Sequence, residues 1–248
     1  MKQDKDLEFL ASCKNEDLRT LCDILTYNKD GELRLSEELT DSDAYIKYYP
    51  EQMNLMAKEL GEELRKFGSN TIKTIFYKGE ADSYETILRR VCKKIDVAVS
   101  DSDSVVEMER RMLTNVCEHI TAKLTNEELR SLADKAGIPY KNLDRQMLIA
   151  AILYAMRRNV ILLQEIIIYV AGRLAQILFG TWAAFACMGT VGRYIGMATG
   201  PIGWTVMAGW TLSDIASPAY RVIIPAVIMV ASMRVRQTAL LTSNTSEK

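Results

Sequence analysis

The sequence predicts an all-α protein in which an acidic helical N-terminal domain precedes a Gly-rich apolar helical hairpin and a Pro-kinked C-terminal helix. Apolar residues recur at helical spacing in several stretches, and alternating strand patterns are few. Residues 1–150 carry 23 basic and 29 acidic residues, a net of −6, whereas residues 151–248 carry 8 and 3, a net of +5. Eight of the 13 glycines follow residue 160, so the two halves are built for different surroundings.

Residues 1–122 are predicted to form the acidic helical domain. Asn15 is placed as the N-cap of a first helix. The apolar positions at helical spacing in this and two later helices are Leu18, Leu21, Cys22 and Leu25; Ile87, Leu88, Val91, Cys92 and Ile95; and Val105, Met112, Val116 and Ile120. The scattered cysteines lie in apolar helical settings and never in CxxC spacing, which indicates core residues in a reducing cytosol.

The stretch TYNKDGELRLSE, residues 26–37, has the outline of a calcium-binding EF-hand loop. Asn28, Asp30 and Glu37 fall at ligand positions, but the first position, normally Asp, is Thr26. Two basic residues in the loop oppose a cation, and Asp-Gly is a common turn signal. We therefore expect a degenerate EF-hand-like loop that acts as a turn, with no metal bound.

Residues 123–152 are predicted to form a helix-loop-helix joint. Thr125 caps the first helix with Glu128 at capping-box spacing, and Gly137 and Pro139 end it. The arrangement resembles the SAP and LEM-like motifs, some of which bind DNA. Residues 123–145 hold five basic and four acidic residues, and this near-neutral charge favours a structural joint over a phosphate-binding face.

Residues 153–241 are predicted to form an apolar helical region that is a candidate for membrane association, and residues 242–248 a polar tail predicted to be disordered. Residues 174–192 are 19 residues without charge, about 28 Å as a helix, close to the hydrocarbon thickness of a bilayer. Residues 194–213 are also uncharged, and Gly200-Pro201-Ile202-Gly203 predicts a break between two apolar helices. Pro225 is expected to kink the final helix.

Small residues in this region form a row that favours close helix packing. Gly192, Gly196 and Gly200 recur every four residues, a glycine zipper typical of packed membrane helices, with Pro201 and Gly203 at the hairpin tip. A wholly buried helix in a soluble bundle would use the same row. Both readings stay open, because a helix that is apolar all round lies either in protein or in lipid.

One acid stands alone in the apolar region. Asp214 is the only acidic residue between Glu165 and Glu247. A carboxylate in apolar surroundings needs a partner, so we predict a buried ion pair with Arg221 first and Arg193 second.

Three blocks of the chain carry a family resemblance: FLASCKNEDLRTLCDILTYNKDGELRLSEEL, ELRKFGSNTIKTIF with YETILRRVCKKI, and the most specific, GPIGWTVMAGWTLSDIASPAYRVIIPAVIMVASMR. They resemble the uncharacterised bacterial YaaW family, which is remotely grouped with the ubiquinol–cytochrome c chaperones. The resemblance covers Leu7 to Arg234. The chain departs from the family at Ser69, where a second glycine is common, and at Ile228 and Met229. The resemblance implies a bacterial, helical, intracellular protein and supplies no reaction.

Catalytic signatures are missing from the sequence. His119 is the one histidine, and no nucleophile elbow, phosphate-binding loop, dinucleotide fingerprint or metal-spaced cluster is present, so we expect no enzyme, no cofactor and no small-molecule substrate. The N-terminus is acidic and lacks an apolar signal core, which favours the cytoplasm.

Three functions remain. The first is a non-enzymatic, membrane-associating protein that inserts its apolar hairpin at the inner face of the bacterial inner membrane. Its partners would be membrane lipid or another helix, including a homo-oligomer formed through the glycine row. The second is a soluble chaperone-like or interaction module whose Gly-rich hairpin is its buried core. The third, a nucleic-acid-binding module through residues 125–152, is disfavoured by charge.

Overall fold

Helices make up most of the chain that the computed structural model describes, which covers residues 4–27, 32–34, 39–70, 81–122, 124–158 and 220–245. The α-helices of these ranges are α1 (Asn15–Thr26), α2 (Asp43–Tyr48), α3 (Ala57–Asn70), α4 (Tyr84–Lys94), α5 (Val105–Thr121), α6 (Asn126–Lys135), α7 (Arg145–Arg158) and α8 (Tyr220–Thr245). Short 3₁₀ helices lie at Lys5–Ser12, Leu39–Asp41 and Met53–Met56. No strand occurs in these ranges, where one isolated bridge pairs Tyr27 with Leu33, and the all-α prediction is confirmed.

Helix α8 is the most deeply buried element of the described ranges. Residues 222–233 are buried without interruption, over about 18 Å of helix. The helix packs against α1, α3, α4, α5 and the N-terminal 3₁₀ helix. These neighbours explain how α8 can carry apolar residues on every face. The sequence-based division assigned residues 220–241 to the apolar region, whereas the buried part of α8 lies in a core shared with helices of residues 1–122.

The apolar stripes predicted for α1, α4 and α5 face this core. The predicted positions that are at most 9% exposed are Leu18, Leu21, Cys22, Leu25, Ile87, Leu88, Val91, Cys92, Ile95, Val105, Met112 and Val116. Helical periodicity therefore located both the helices and their buried faces. Pro225 lies inside α8, and the helix continues through it to Thr245.

The predicted role of Asn15 as an N-cap is wrong. Helix α1 begins at Asn15 itself, after Lys14, and has no side-chain cap. The Asn15 amide nitrogen donates to the carbonyl oxygen of Pro50 (2.8 Å), and its amide oxygen accepts from the backbone nitrogen of Met53 (2.7 Å). The side chain therefore fastens the chain after α2 onto the start of α1, a contact that local sequence cannot indicate.

Polar contacts at the end of α3 position the start of α4. Arg65 donates from Nε to the carbonyl oxygen of Asp82 and from Nη2 to that of Ala81, each over 2.8 Å. The Ser69 hydroxyl donates to the carbonyl oxygen of Arg65 and accepts from the backbone nitrogen of Asp82, each over 2.7 Å. The serine at this departure from the family pattern thus satisfies two backbone groups that a glycine would leave to other partners.

We expect Gly68→Ala to lower the free energy of unfolding by about 1–3 kcal/mol, the usual range for overpacking a core. An added Cβ would lie 2.5–2.8 Å from three side-chain atoms of Ile87, which is 2% exposed. Gly61→Ala in the same helix is the matched control. Its Cβ would lie 3.4 Å from Leu7, an ordinary contact, so we expect a gain of up to about 1 kcal/mol from helix propensity. Urea unfolding measures both.

Adding Ile87→Ala to Gly68→Ala tests the cause. Because Ile87→Ala removes the clashing atoms, the double variant should be less destabilised than the sum of the two single variants. Equal effects of alanine at residues 61 and 68, or strict additivity at 68 and 87, would contradict the close packing of α3 on α4.

Candidate functional site

The candidate functional site comprises the two helices that flank residues 159–219. Helix α7 ends at Arg158 and α8 begins at Tyr220, and both pack against α5. The described helices on either side of residues 159–219 therefore belong to one helical domain. The positions predicted for the hairpin and its ion pair lie outside the described residues: Gly192, Gly196, Gly200, Pro201, Gly203, Arg193, Asp214 and the side chain of Arg221. Their packing and pairing stay predictions.

The predicted capping box opens helix α6, the first helix of the region predicted to be a helix-loop-helix joint. The Thr125 backbone nitrogen donates to Glu128 Oε2 (2.8 Å), and the Glu128 backbone nitrogen donates to Thr125 Oγ1 (3.2 Å), which completes the capping box. Gly137 ends the turn after α6 with φ of 64°, a left-handed conformation that glycine adopts without strain.

The start of α7 is fixed to the preceding helices through Arg145. Its Nη1 donates to Asn126 Oδ1 (2.8 Å), and its Nη2 donates to the carbonyl oxygens of Leu124 (2.7 Å) and Ala122 (3.1 Å). The guanidinium is thus committed to internal contacts rather than to an external phosphate. This geometry favours the structural joint over the nucleic-acid-binding module at residues 125–152.

Helix α7 is apolar on two faces. Leu148 and Ile152 point into the domain and are 6% and 0% exposed, whereas Met147 and Tyr154 are 57% and 59% exposed. The guanidinium carbon of Arg158 lies 5.0 Å from the centre of the Tyr154 ring, a cation–π distance. In the part of the chain that the structure describes, no helix is long and apolar enough to cross a membrane.

Helix α8 is held near its middle by Arg234. The Arg234 guanidinium donates to Glu109 Oε2 (2.7 Å) and to the carbonyl oxygen of Asp6, and it lies 4.0 Å from the centre of the Phe9 ring. The Tyr84 hydroxyl donates to Glu109 Oε1 (2.7 Å). Burial raises the pKa of Glu109, and the guanidinium and the tyrosine hydroxyl act against that rise.

A second arginine, two residues further along α8, forms another contact with the N-terminal part of the chain. Nη1 of Arg236 contacts both carboxylate oxygens of Asp17 over 2.6 Å, and the neighbouring Gln237 donates to Ser12. Together with Arg234, these residues join the middle of α8 to the N-terminal 3₁₀ helix and α1. Basic residues in an otherwise apolar helix were the sequence signal for such contacts, but their partners are far away in the chain.

The loop at residues 26–37 closes on itself at its base. The Arg34 backbone nitrogen donates to the carbonyl oxygen of Thr26 (3.0 Å), and Thr26 Oγ1 donates to the carbonyl oxygen of Cys22 (3.0 Å). The hydroxyl at the first ligand position is therefore directed at helix α1. Asn28, Asp30 and Glu37 lie outside the described residues, so the turn without metal stays a prediction.

Side chains that often carry catalysis have ordinary surroundings in the described ranges. His119 is exposed, and its Nδ1 lies 3.0 Å from the carbonyl oxygen of Asn115. Burial raises the pKa of the Cys13 and Cys92 thiols to about 11 and that of Cys117 to about 12, which disfavours the nucleophilic thiolate. Within these ranges no group of His, Cys, Asp or Glu could hold a metal ion.

A polar cluster that sequence reasoning missed lies between α1 and α2. The Tyr49 hydroxyl donates to Asp23 Oδ1 (3.1 Å), the Tyr45 and Tyr49 rings stack at 4.5 Å, and the Tyr27 and Tyr45 hydroxyls are 3.3 Å apart. Burial raises the pKa of Asp23 to about 6, against the effects of Tyr49 and Arg19. The run Tyr45, Tyr48, Tyr49 was visible in the sequence, but its carboxylate partner was not.

These observations define an all-helical domain whose helices α7 and α8 flank an apolar segment of the sequence. A family described as "Domain of unknown function (DUF3944)" matches residues 1–35. A UPF0174 protein of Helicobacter pylori (strain J99) is 36% identical over 236 residues, 95% of this chain and 92% of the relative. The UPF0174 protein YaaW of Escherichia coli (strain K12) is 26% identical over 234 residues, 93% and 94% of the two chains. No solved structure matches.

The chain belongs to the UPF0174 family. The resemblance to the YaaW family is confirmed, and it extends over nearly the whole length of the relatives. The grouping with ubiquinol–cytochrome c chaperones gains no support from them.

The pKa of Asp23 makes stability depend on pH with a definite sign. A carboxyl whose pKa is raised in the folded protein favours folding when protonated, so its penalty is absent below about pH 4 and complete above about pH 6. Asp23→Asn keeps a hydrogen-bond acceptor for Tyr49. We expect the free energy of unfolding of this variant to exceed that of the wild type by about 1–3 kcal/mol at pH 7.5. The two should converge at pH 4. Urea unfolding across this range measures the difference, and a constant difference would contradict the buried titration.

Removing Arg234 should leave the Glu109 carboxylate buried without its cation. The two side chains are 17% and 2% exposed, so we expect Arg234→Met to lower the free energy of unfolding by about 3–5 kcal/mol. The double variant Arg234→Met, Glu109→Leu should lose less free energy of unfolding than the two single variants lose in sum. Glu85→Gln, which breaks a half-buried pair with Arg89 on the surface of α4, is the control, and it should lower the free energy of unfolding by at most about 1 kcal/mol. Additive effects in the first pair would overturn its coupling.

Proposed function

We propose that this protein is a non-enzymatic, membrane-associating protein that inserts residues 159–219 into a lipid bilayer while its helical domain stays on the aqueous side. The observation that carries the proposal is the placement of α7 and α8. Both flanks of the segment belong to one domain, so both ends of the segment are joined to the same domain. The domain would thereby hold both ends of the inserted segment.

The composition of the segment suits a bilayer. Its charged residues are Glu165, Arg173, Arg193 and Asp214, four in 61 positions. The two uncharged runs, 174–192 and 194–213, would span about 28 and 30 Å as helices. The glycine row of the first run would then pack against another helix, of this chain or of a second copy, since small residues pack helices in lipid.

Anchored ends also constrain topology. A segment that starts and finishes on one domain must cross the bilayer an even number of times or enter and leave by the same side. The flanks carry Arg157, Arg158 and Arg221, and cytoplasmic flanks of membrane segments carry an excess of Arg and Lys. The proposal therefore places the domain in the cytoplasm, at the inner face of the inner membrane.

A soluble interaction module is the second candidate, and α8 is the observation that favours it. An apolar stretch of this chain, residues 222–233, is the core of a helical domain. Residues 159–219 would, in this alternative, be used in the same way as a packed hairpin. The two candidates differ in whether the segment meets lipid.

The chain offers an internal probe of this difference. Its three tryptophans, Trp182, Trp204 and Trp210, all lie in the segment, so tryptophan fluorescence reports the segment alone. We expect untagged protein to stay in the membrane pellet after a carbonate wash, and brominated lipids to quench its fluorescence in vesicles. Wild-type protein that is wholly soluble, monodisperse without detergent and unquenched would overturn the proposal in favour of the soluble module.

A charge placed within the uncharged run sharpens the test. Ala184→Arg lies near the middle of residues 174–192, where arginine costs at least about 2.5 kcal/mol on insertion scales. We expect less protein in the membrane pellet while the helical domain stays folded by circular dichroism. Ala122→Arg, at an exposed position after α5, is the matched control and should leave membrane recovery unchanged. Unfolding by Ala184→Arg without any membrane pool would instead support the soluble hairpin.

A further inference from the structure

The outward side of α7 carries an apolar stripe, which we name the α7 stripe: Met147, Ala150, Tyr154 and Arg158. The spacing of three, four and four residues puts them on one side of the helix. All four are exposed, whereas Leu148 and Ile152 on the opposite side are buried. The stripe extends about 16 Å along the helix axis and ends at the residue after which the apolar segment begins.

We propose that the α7 stripe lies on the surface of an anionic lipid bilayer, as an interfacial helix face beside the inserted segment. The proposal rests on the membrane association proposed above and names the surface and lipid class that the helical domain contacts. Continuity is the first argument. If the segment enters lipid from its first residues, the end of α7 lies at the headgroup level, and the stripe is an exposed side of that helix.

Charge and side-chain type are the second argument. The sequence of α7 contains three arginines and no acid, and the arginine at residue 145 is hydrogen-bonded to the preceding helices. Arg158 stays exposed and lies over the Tyr154 ring. An aromatic ring with a polar tip and an arginine with a long apolar stem both suit the boundary between headgroups and hydrocarbon. An arginine there gains free energy from anionic lipid.

A reporter on α7 can be separated from a reporter on the segment. In a variant with Trp182→Phe, Trp204→Phe, Trp210→Phe and Tyr154→Trp, fluorescence reports only residue 154. We expect brominated lipids to quench it in vesicles of phosphatidylglycerol and phosphatidylethanolamine, and at least threefold less in phosphatidylcholine alone. Ile46→Trp in the same tryptophan-free background is the control. Residue 46 lies on α2 and is 71% exposed, and no quenching is expected there.

The outcomes distinguish this inference from the function on which it rests. Quenching of the native tryptophans without quenching at residue 154 overturns the α7 stripe and leaves insertion intact. Quenching at residue 154 alone supports the stripe and overturns insertion. A residue 154 reporter shielded from both lipid and aqueous acrylamide means that protein covers the stripe, either a second copy or the segment, and overturns the inference.

Single substitutions provide a second measurement where the tryptophan-free background fails to fold. Arg158→Gln should lower the affinity for anionic vesicles about fivefold, the usual effect of one arginine near such a surface. Arg130→Gln, at an exposed position of α6, is the charge control and should have no effect. Met147→Glu should weaken binding to both vesicle types, whereas Ile46→Glu should not. If each variant and its control bind vesicles with equal affinity, the proposed lipid contact of the α7 stripe is wrong.

Discussion

The buried contact between Arg234 and Glu109 joins parts of the chain that the apolar segment separates. The two residues are 125 positions apart, and the bond from Arg234 to the Asp6 carbonyl spans 228 positions. Leaving a buried carboxylate without its cation is strongly unfavourable, so this pair selects one position of α8 along its axis. The apolar turns of α8 have no comparable means of fixing register, because any apolar residue can replace another at modest cost. The pair therefore determines the position of α8 along its axis, which burial of its apolar residues alone would not determine.

This dependence makes the two ends of the chain one structural unit. The part that matches a domain of unknown function, residues 1–35, contains the N-terminal 3₁₀ helix and α1, and both pack against α8. Its apolar faces thus have a partner more than 180 residues later. An insertion of 61 residues is compatible with this arrangement, since the entropy of loop closure grows only with the logarithm of loop length, about 0.6 kcal/mol for each doubling.

Sequence reasoning located helices well and their long-range contacts poorly. Periodicity gave the stripes of α4 and α5, and the spacing of Thr125 and Glu128 gave the capping box, because each depends on residues within a few positions. Asn15 was assigned to a cap, the local use of its side chain, whereas its amide holds Pro50 and Met53. The position of α8 was missed for a different reason. A helix apolar on every face has the same sequence in lipid and in a core, and only its neighbours decide between them.

The anchoring of α8 limits where Asp214 can lie. Eight positions separate it from buried Val222, which is at most about 29 Å of extended chain and about 12 Å as helix. The Cα atom of Asp214 can therefore lie no farther than this from Val222, whether the preceding run, 194–213, enters lipid or packs against protein. In the sequence its predicted partner Arg221 is nearer to Val222 still, and Arg193 precedes that uncharged run. A pair between Asp214 and Arg221 would therefore form within the reach of α8, whereas a pair with Arg193 would have to close across the whole run.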